Sequence, residues 1–280
     1  MKDLETTLNT ISESEPFKTG WYIKDLKANK IYTRFGDDVF PSASTRKTSI
    51  MMAALAAVHR KELDLREECI LEERLQHDVK SGTLQFMTPG TKLPFRDVLV
   101  NMMITSDNVS TQMVLERISL EQMNEYCRSL GMEKTSHTIK FPPSNLPYDH
   151  DLYAVTTTSP ADQGLLLDLI VKGARDEAAA AKLGSTPELC RFALDVLTWQ
   201  RLTKIIAAHL PTGTVVGNKT GTGKRGRMDM GIVYRNEEPL FIMTYYTDQV
   251  PIDMPNGLPG HAAANQLGAR LARACWDAIA

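Results

Sequence analysis

Strand-like runs stand at both ends of this chain, and helical pattern fills the middle. Thr19 to Leu26 and Lys30 to Phe35 read as strands joined through Lys27-Ala28-Asn29, a connection short enough for a hairpin. Strand character returns only near the far end, at Gly213 to Lys219, Met228 to Arg235 and Leu240 to Thr247. Strands must pair to satisfy their backbone groups, so the pattern calls for a sheet assembled from the two termini. A helical lobe is then inserted after the second strand.

Leu4, Leu8 and Ile11 recur at helical spacing, which predicts an amphipathic helix ending near Glu15-Pro16. Further helices are expected over Thr45 to Arg60, Phe95 to Ile104, Asn108 to Ile118 and Leu120 to Leu130, with Gly131 as a C-cap. The pattern resumes at Ala161 to Lys172, Ala178 to Ala181, Pro187 to His209 and Ala262 to Ile279. Phe141 to Pro160 holds four prolines and no clear period, so it is expected to be a long loop. No linker is polar enough to separate independent domains. The expected fold class is α/β, a single two-lobed body of 280 residues. Its α/β lobe would come from about 1–40 and 211–280, and its helical lobe from about 41–210.

Charge and composition exclude several functions. With 32 basic against 34 acidic side chains there is no basic field for nucleic acid. The most apolar stretch, Ile50 to Val58, is about half of what a helix needs to cross a bilayer. Lys2 to Glu15 is dotted with acids and lacks a leader's apolar run, so a cytoplasmic location is expected, with a periplasmic or secreted one left open for a trimmed chain. Cys69, Cys127, Cys190 and Cys275 are scattered and read as buried free thiols. His59, His77, His137, His209 and His261 show no ligand spacing, so neither metal nor cofactor is expected. Trp21 and Trp276 fit packing positions.

Three short motifs carry candidate chemistry. Ser44-Thr45-Arg46-Lys47 stands where a loop gives way to a helix, placing Lys47 on the same face as Ser44. A serine needs a base to become a nucleophile, and a lysine serves only if its pKa is pulled down; the plainer alternative is an N-capping serine and a surface lysine. Ser106-Asp107-Asn108 is either part of a site or a helix N-cap. Lys219-Thr220-Gly221, followed by Thr222-Gly223, is either a functional strand end or a Gly-rich turn with a solvated lysine. All three together, in this order, are much harder to attribute to chance than any one.

SxxK, SDN and KTG in that order resemble the signature of the class A serine β-lactamases and penicillin-binding proteins. The resemblance covers nearly the whole chain: Phe40 to Ser44 looks like the family's approach to its serine, and Leu210-Pro211 through Gly223 like its run into the KTG strand. Thr156 to Pro160 looks like the close of its Ω-loop. The fold implied is a five-stranded antiparallel sheet flanked by helices beside an all-helical lobe. The resemblance implies that Ser44 is acylated, with Lys47 as base or proton relay. Ser106 would pass a proton to the leaving nitrogen, and Asn108 would hold Lys47 and the substrate. Lys219, Thr220, Gly221 and Thr222 would face a substrate carboxylate, and the N–H groups of Ser44 and Thr222 would form an oxyanion hole.

Aligned on that family, Asn145 falls on the asparagine of the Ω-loop's ExxLN pattern, but Phe141 stands at the glutamate that activates the deacylating water. Ile139 and Thr156 stand where the loop's Arg–Asp bridge is expected. Asp149, His150 or Asp151 would supply a base if the loop is threaded differently; otherwise they are solvated loop residues. Arg225 and Arg227 are carboxylate anchors or a basic turn. The leading expectation is a serine hydrolase or acyltransferase for a small amide, lactam or ester bearing a carboxylate, with weak or atypical β-lactam hydrolysis. A penicillin-binding or sensor-type protein that is acylated without turnover is the alternative, and a silent scaffold the third.

Overall fold

A computed structural model describes residues 3–140 and 145–280. Helix α1 (Leu4–Ser12) buries Leu4 and Leu8, and its Ser12 Oγ accepts a 3.0 Å hydrogen bond from the Trp21 indole. Strands β1 (Lys18–Asp25) and β2 (Lys30–Arg34) form the expected hairpin, with Asp25 opposite Lys30. Asp25 Oδ1 accepts from the backbone N–H groups of Lys27 and Ala28, and Asn29 takes the left-handed conformation that closes the turn.

The two-residue strand β3 (Phe40–Pro41) leads through a 3-10 turn, Ala43–Arg46, into α2 (Lys47–His59). Strands β4 (Glu68–Ile70) and β5 (Lys92–Pro94) pair beside α3 (Phe95–Ile104), α4 (Asn108–Leu115) and α5 (Leu120–Ser129). Strand β6 (Thr157–Thr158) pairs with β3 before α6 (Pro160–Gly173), α7 (Glu177–Lys182) and α8 (Pro187–Thr198). The chain ends with β7 (Val216–Thr222), β8 (Arg227–Arg235), β9 (Glu238–Asp248) and α9 (Gly260–Ile279).

The main sheet is antiparallel in the order β2-β1-β9-β8-β7, so both chain ends build it as the strand pattern requires. Alternate residues of β9 face opposite ways: Phe241, Met243 and Tyr245 pack with α1 and α9, while Ile242 packs with the helical core. Helix α2 is buried on every side from Lys47 to Ala57, as a helix apolar all round must be. The four cysteines are buried and unpaired, and among the described residues no helix is long and apolar enough to span a membrane.

Some expected boundaries move. The stretch read as one helix from Pro187 to His209 stops at Thr198. There the Gln200 side chain takes over: its Oε1 accepts from the N–H groups of Arg201 and Leu202, and its Nε2 donates to Met103 O and Asn218 O. Those bonds compete with helix continuation. The helix expected from Thr45 begins as the 3-10 turn, and the strand expected from Gly213 begins at Val216, because Gly213 sits in a turn at φ +88°.

Candidate active site

The Ser44 turn is held from several sides. Ser42 N–H donates to Thr156 O at 2.9 Å, and Thr45 Oγ1 donates to Ser42 O at 2.6 Å. Tyr246 of β9 donates its hydroxyl proton to Thr45 Oγ1 at 2.8 Å. This framework over-determines Ala43, which has φ +43°, a conformation L-residues rarely adopt outside constrained sites. Side chains three residues apart eclipse in a 3-10 turn. The turn therefore places Ser44 and Lys47 on one face, and the backbone N–H of Lys47 donates to Ser44 O.

Lys47 is buried, so it is not the surface lysine of the plainer reading. Its Nζ lies 2.7 Å from Ser106 O, 2.8 Å from Asn108 Oδ1 and 3.2 Å from Ser106 Oγ. Burial first, then the cations of Lys219 and Arg46, hold its ammonium well below the usual lysine range, with Asp107 opposing. The α3–α4 junction divides its labour. Asp107 is the N-cap, accepting from Ser110 N–H at 2.7 Å, while Ser106 (φ +56°) and Asn108 turn toward Lys47. The N-cap reading of Ser106-Asp107-Asn108 thus holds on Asp107, and Ser106 and Asn108 are left to face Lys47.

Lys219, Thr220, Gly221 and Thr222 ride on β7, the sheet edge beside the Ser44 turn. A methyl group on Gly221 would lie 3.1 Å from Ser42 O and 3.2 Å from Ala43 Cβ, so glycine is what lets the strand approach so closely. Lys219 is fully buried rather than solvated, and its Nζ donates to Thr220 O at 2.8 Å. Burial pulls its pKa down to about 7, with Asp229 of β8 opposing; burial likewise pushes Asp229 up to about 7.

A cleft of about 690 Å³ opens over these groups, with Ser44, Lys47, Asn108, Asn145 and Thr222 on its wall. Ser106, Lys219, Thr220 and Gly221 are buried. A model of the β-lactamase enzyme family matches residues 3–279. The chain belongs to that family. Among curated relatives it is 25% identical to β-lactamase AER-1 of Aeromonas hydrophila, over 94% of this chain and 81% of that protein. It is 24% identical to CTX-M-8 of Citrobacter amalonaticus, over 88% and 81%. Its fold superimposes on the β-lactamase of Sphaerobacter thermophilus with a TM-score of 0.83 at 22% identity, covering 98% and 96% of the two chains. PBP-A gives 0.82 at 22% identity, covering 99% and 96%. The chain is therefore a serine hydrolase of the β-lactamase-like family with the class A fold.

Phe141 lies outside the described residues. Of the three other loop candidates, His150 is buried and lines the cleft, Asp149 is exposed, and Asp151 caps the short 3-10 turn Leu152–Ala154 by accepting from Tyr153 N–H. Arg225 lines the cleft, is engaged with Asp248 through bonds of 2.6 and 2.7 Å, and donates to His150 O, so it ties the loop to β9. Arg227 donates to Gly223 O and Gly226 O and contacts His261. Sequence reasoning assigned nothing to Asp78, which lines the cleft beside His77 at φ +56°; a non-glycine residue in that conformation leaves no mark in composition or period.

Proposed function

We propose that the protein acts through a Ser44 acyl-enzyme on a small amide, lactam or ester bearing a carboxylate. The observation that carries this reading is the hydrogen bonding of Lys47. A neutral amine has two N–H donors and one lone pair. Ser106 O and Asn108 Oδ1 only accept, so they take the two donors. The lone pair is left for a hydroxyl proton, which Ser44 supplies as its Oγ bonds to the carbonyl carbon. The proton then moves through Ser106 Oγ, 3.2 Å from Lys47 Nζ, to the leaving nitrogen as the C–N bond breaks. Lys219 and Thr222 attract the substrate carboxylate, and Asn108 and Asn145 hold its amide. The backbone N–H groups of Ser44 and Thr222 polarise the carbonyl. Intact-protein mass spectrometry after mixing with a penicillin or a chromogenic cephalosporin tests this directly. A covalent adduct forms in the wild type and not in Ser44→Ala; an adduct persisting in Ser44→Ala would sink the assignment.

Hydrolysis of the ester needs a base for water, and His150 has the required form. Its Nδ1 lies 2.7 Å from Asp151 O, which only accepts, so in the neutral ring the proton sits on Nδ1 and the lone pair on Nε2. His150→Ala lengthens the adduct's lifetime by about tenfold, short of the 10²–10⁴ typical of a base because water still enters the cleft. The rate of adduct formation stays level. An unchanged lifetime would remove His150 from the reaction.

The second reading is a protein that is acylated and stays so, favoured by Phe141 at the family's glutamate position. A PBP-A variant 24% identical to this chain, with a TM-score of 0.80, has been captured as an acyl-enzyme with penicillin G. Product accumulation with a transient adduct selects the hydrolase; a stable adduct without product selects the sensor.

A further inference from the structure

We propose that Arg46 is a positioning residue that clamps both stems of the loop 139–156 onto the turn carrying Ser44. The proposal builds on the acyl-enzyme reading above, because the clamped loop carries Asn145 and His150. Ile139 and Thr156 are the two places where the family resemblance calls for an ion pair across the loop's base, and neither can form one. Arg46 reaches both. Its Nη1 donates to Ile139 O at 2.8 Å and to Thr156 Oγ1 at 2.8 Å, and its Nη2 donates to Lys140 O. Ile139 and Lys140 belong to the entering stem and Thr156 to the leaving one. The exit stem is also tied by Ser42 N–H to Thr156 O and by Pro41 paired with Thr157.

The guanidinium presents two nitrogens to three acceptors in a fixed planar fork, a geometry that the compact ammonium of a lysine does not reproduce. The side chain is only 5% exposed, and burial draws its pKa down to about 10, so it remains a cation at neutral pH. Because Arg46 lies between Ser44 and Lys47 in sequence, the loop is registered directly against the reacting turn. The same cation also faces Lys47. The other groups facing Lys47 are Lys219 from β7 and Asp107, Ser106 and Asn108 from the α3–α4 junction. Removing Arg46's charge makes the Lys47 ammonium easier to form and its neutral form scarcer in acid.

Arg46→Lys and Arg46→Gln separate the two effects, since lysine keeps the charge and loses the fork. Hydrogen exchange over residues 145–156 rises by roughly tenfold in both variants, the change expected when one or two hydrogen bonds go. Exchange in α2 and the main sheet stays as in the wild type. With a chromogenic cephalosporin, adduct decay slows more than adduct formation in both. The acid limb of the pH profile of adduct formation moves to higher pH in Arg46→Gln alone. Unchanged exchange over 145–156 in both folded variants overturns the proposal. So does a uniform loss of protection through α2 and the sheet with formation and decay slowed alike. If the wild type itself forms no Ser44 adduct, the acyl-enzyme reading fails, and the exchange measurement still decides the clamp.

Discussion

Lys47→Ala lowers the rate of adduct formation at Ser44 by about 10²–10⁴, the usual contribution of a positioned general base. The two other cations near the turn do not take its place: Lys219 is buried with its Nζ bonded to Thr220 O, and Arg46 does not give up its proton at neutral pH. The fold survives the change. Ser106 O keeps its 2.9 Å bond from Ser81 Oγ, so the main loss is the partner of Asn108 Oδ1, which costs about 1–3 kcal/mol. Lys47→Arg discriminates the roles further, since a guanidinium retains the charge but cannot act as a base; it is as slow as alanine. In the wild type the rate holds level as pH falls through the usual lysine range and drops only well below it, because the neutral amine persists there. Stopped-flow rates beside thermal melts settle the matter: formation within tenfold of wild type in a well-folded Lys47→Ala would show that another group takes the Ser44 proton.

The parts of the site legible in the sequence were those whose chemistry is carried by residue type at short spacing. Ser44 and Lys47 are three apart, and any helical turn brings them onto one face. Ser106 to Asn108 and Lys219 to Thr222 are contiguous, so their internal geometry follows from a cap and a strand. What holds those three pieces together is long-range and leaves no local pattern. Arg46 reads as one more residue inside SxxK, yet its partners lie about a hundred positions away. Arg225 reads as a carboxylate anchor or a basic turn, but Asp248 at the end of β9 engages it. The strand pairs β3–β6 and β4–β5 are too short for alternation to register, and Gln200 ends a helix whose hydrophobic pattern would carry on. The strand order, by contrast, follows from placing every long strand near a terminus, which leaves few ways to pair them.

Gly82→Ala destabilises the protein by about 3–5 kcal/mol, a large share of the roughly 5–15 kcal/mol that holds a typical fold. The segment 81–84 docks on the Ser106-Asp107-Asn108 junction through three described bonds, Ser81 Oγ to Ser106 O, Asn108 N–H to Ser81 O and Leu84 N–H to Asp107 Oδ2, while Gln85 Nε2 donates to Gly82 O and supports the turn. Gly82 has φ +96°, and an added methyl would overlap the carboxylate and Cα of Asp107. The left-handed backbone costs about 1–2 kcal/mol in an L-residue. Pushing Asp107 aside costs a further 0.5–2 kcal/mol or about that for the α4 cap, and leaves the buried Leu84 N–H without its acceptor. Gly90→Ala is the control, because Gly90 has φ +87° with nothing within 4 Å of an added methyl. It carries the backbone cost alone. Gly82→Ala therefore melts several degrees below Gly90→Ala, and also forms the Ser44 adduct more slowly, because Ser106 and Asn108 move with Asp107 away from Lys47 Nζ. Melting points within about 2 °C of each other would mean that the 81–84 segment yields without disturbing the junction, and that Asp107 is not what Gly82 makes room for.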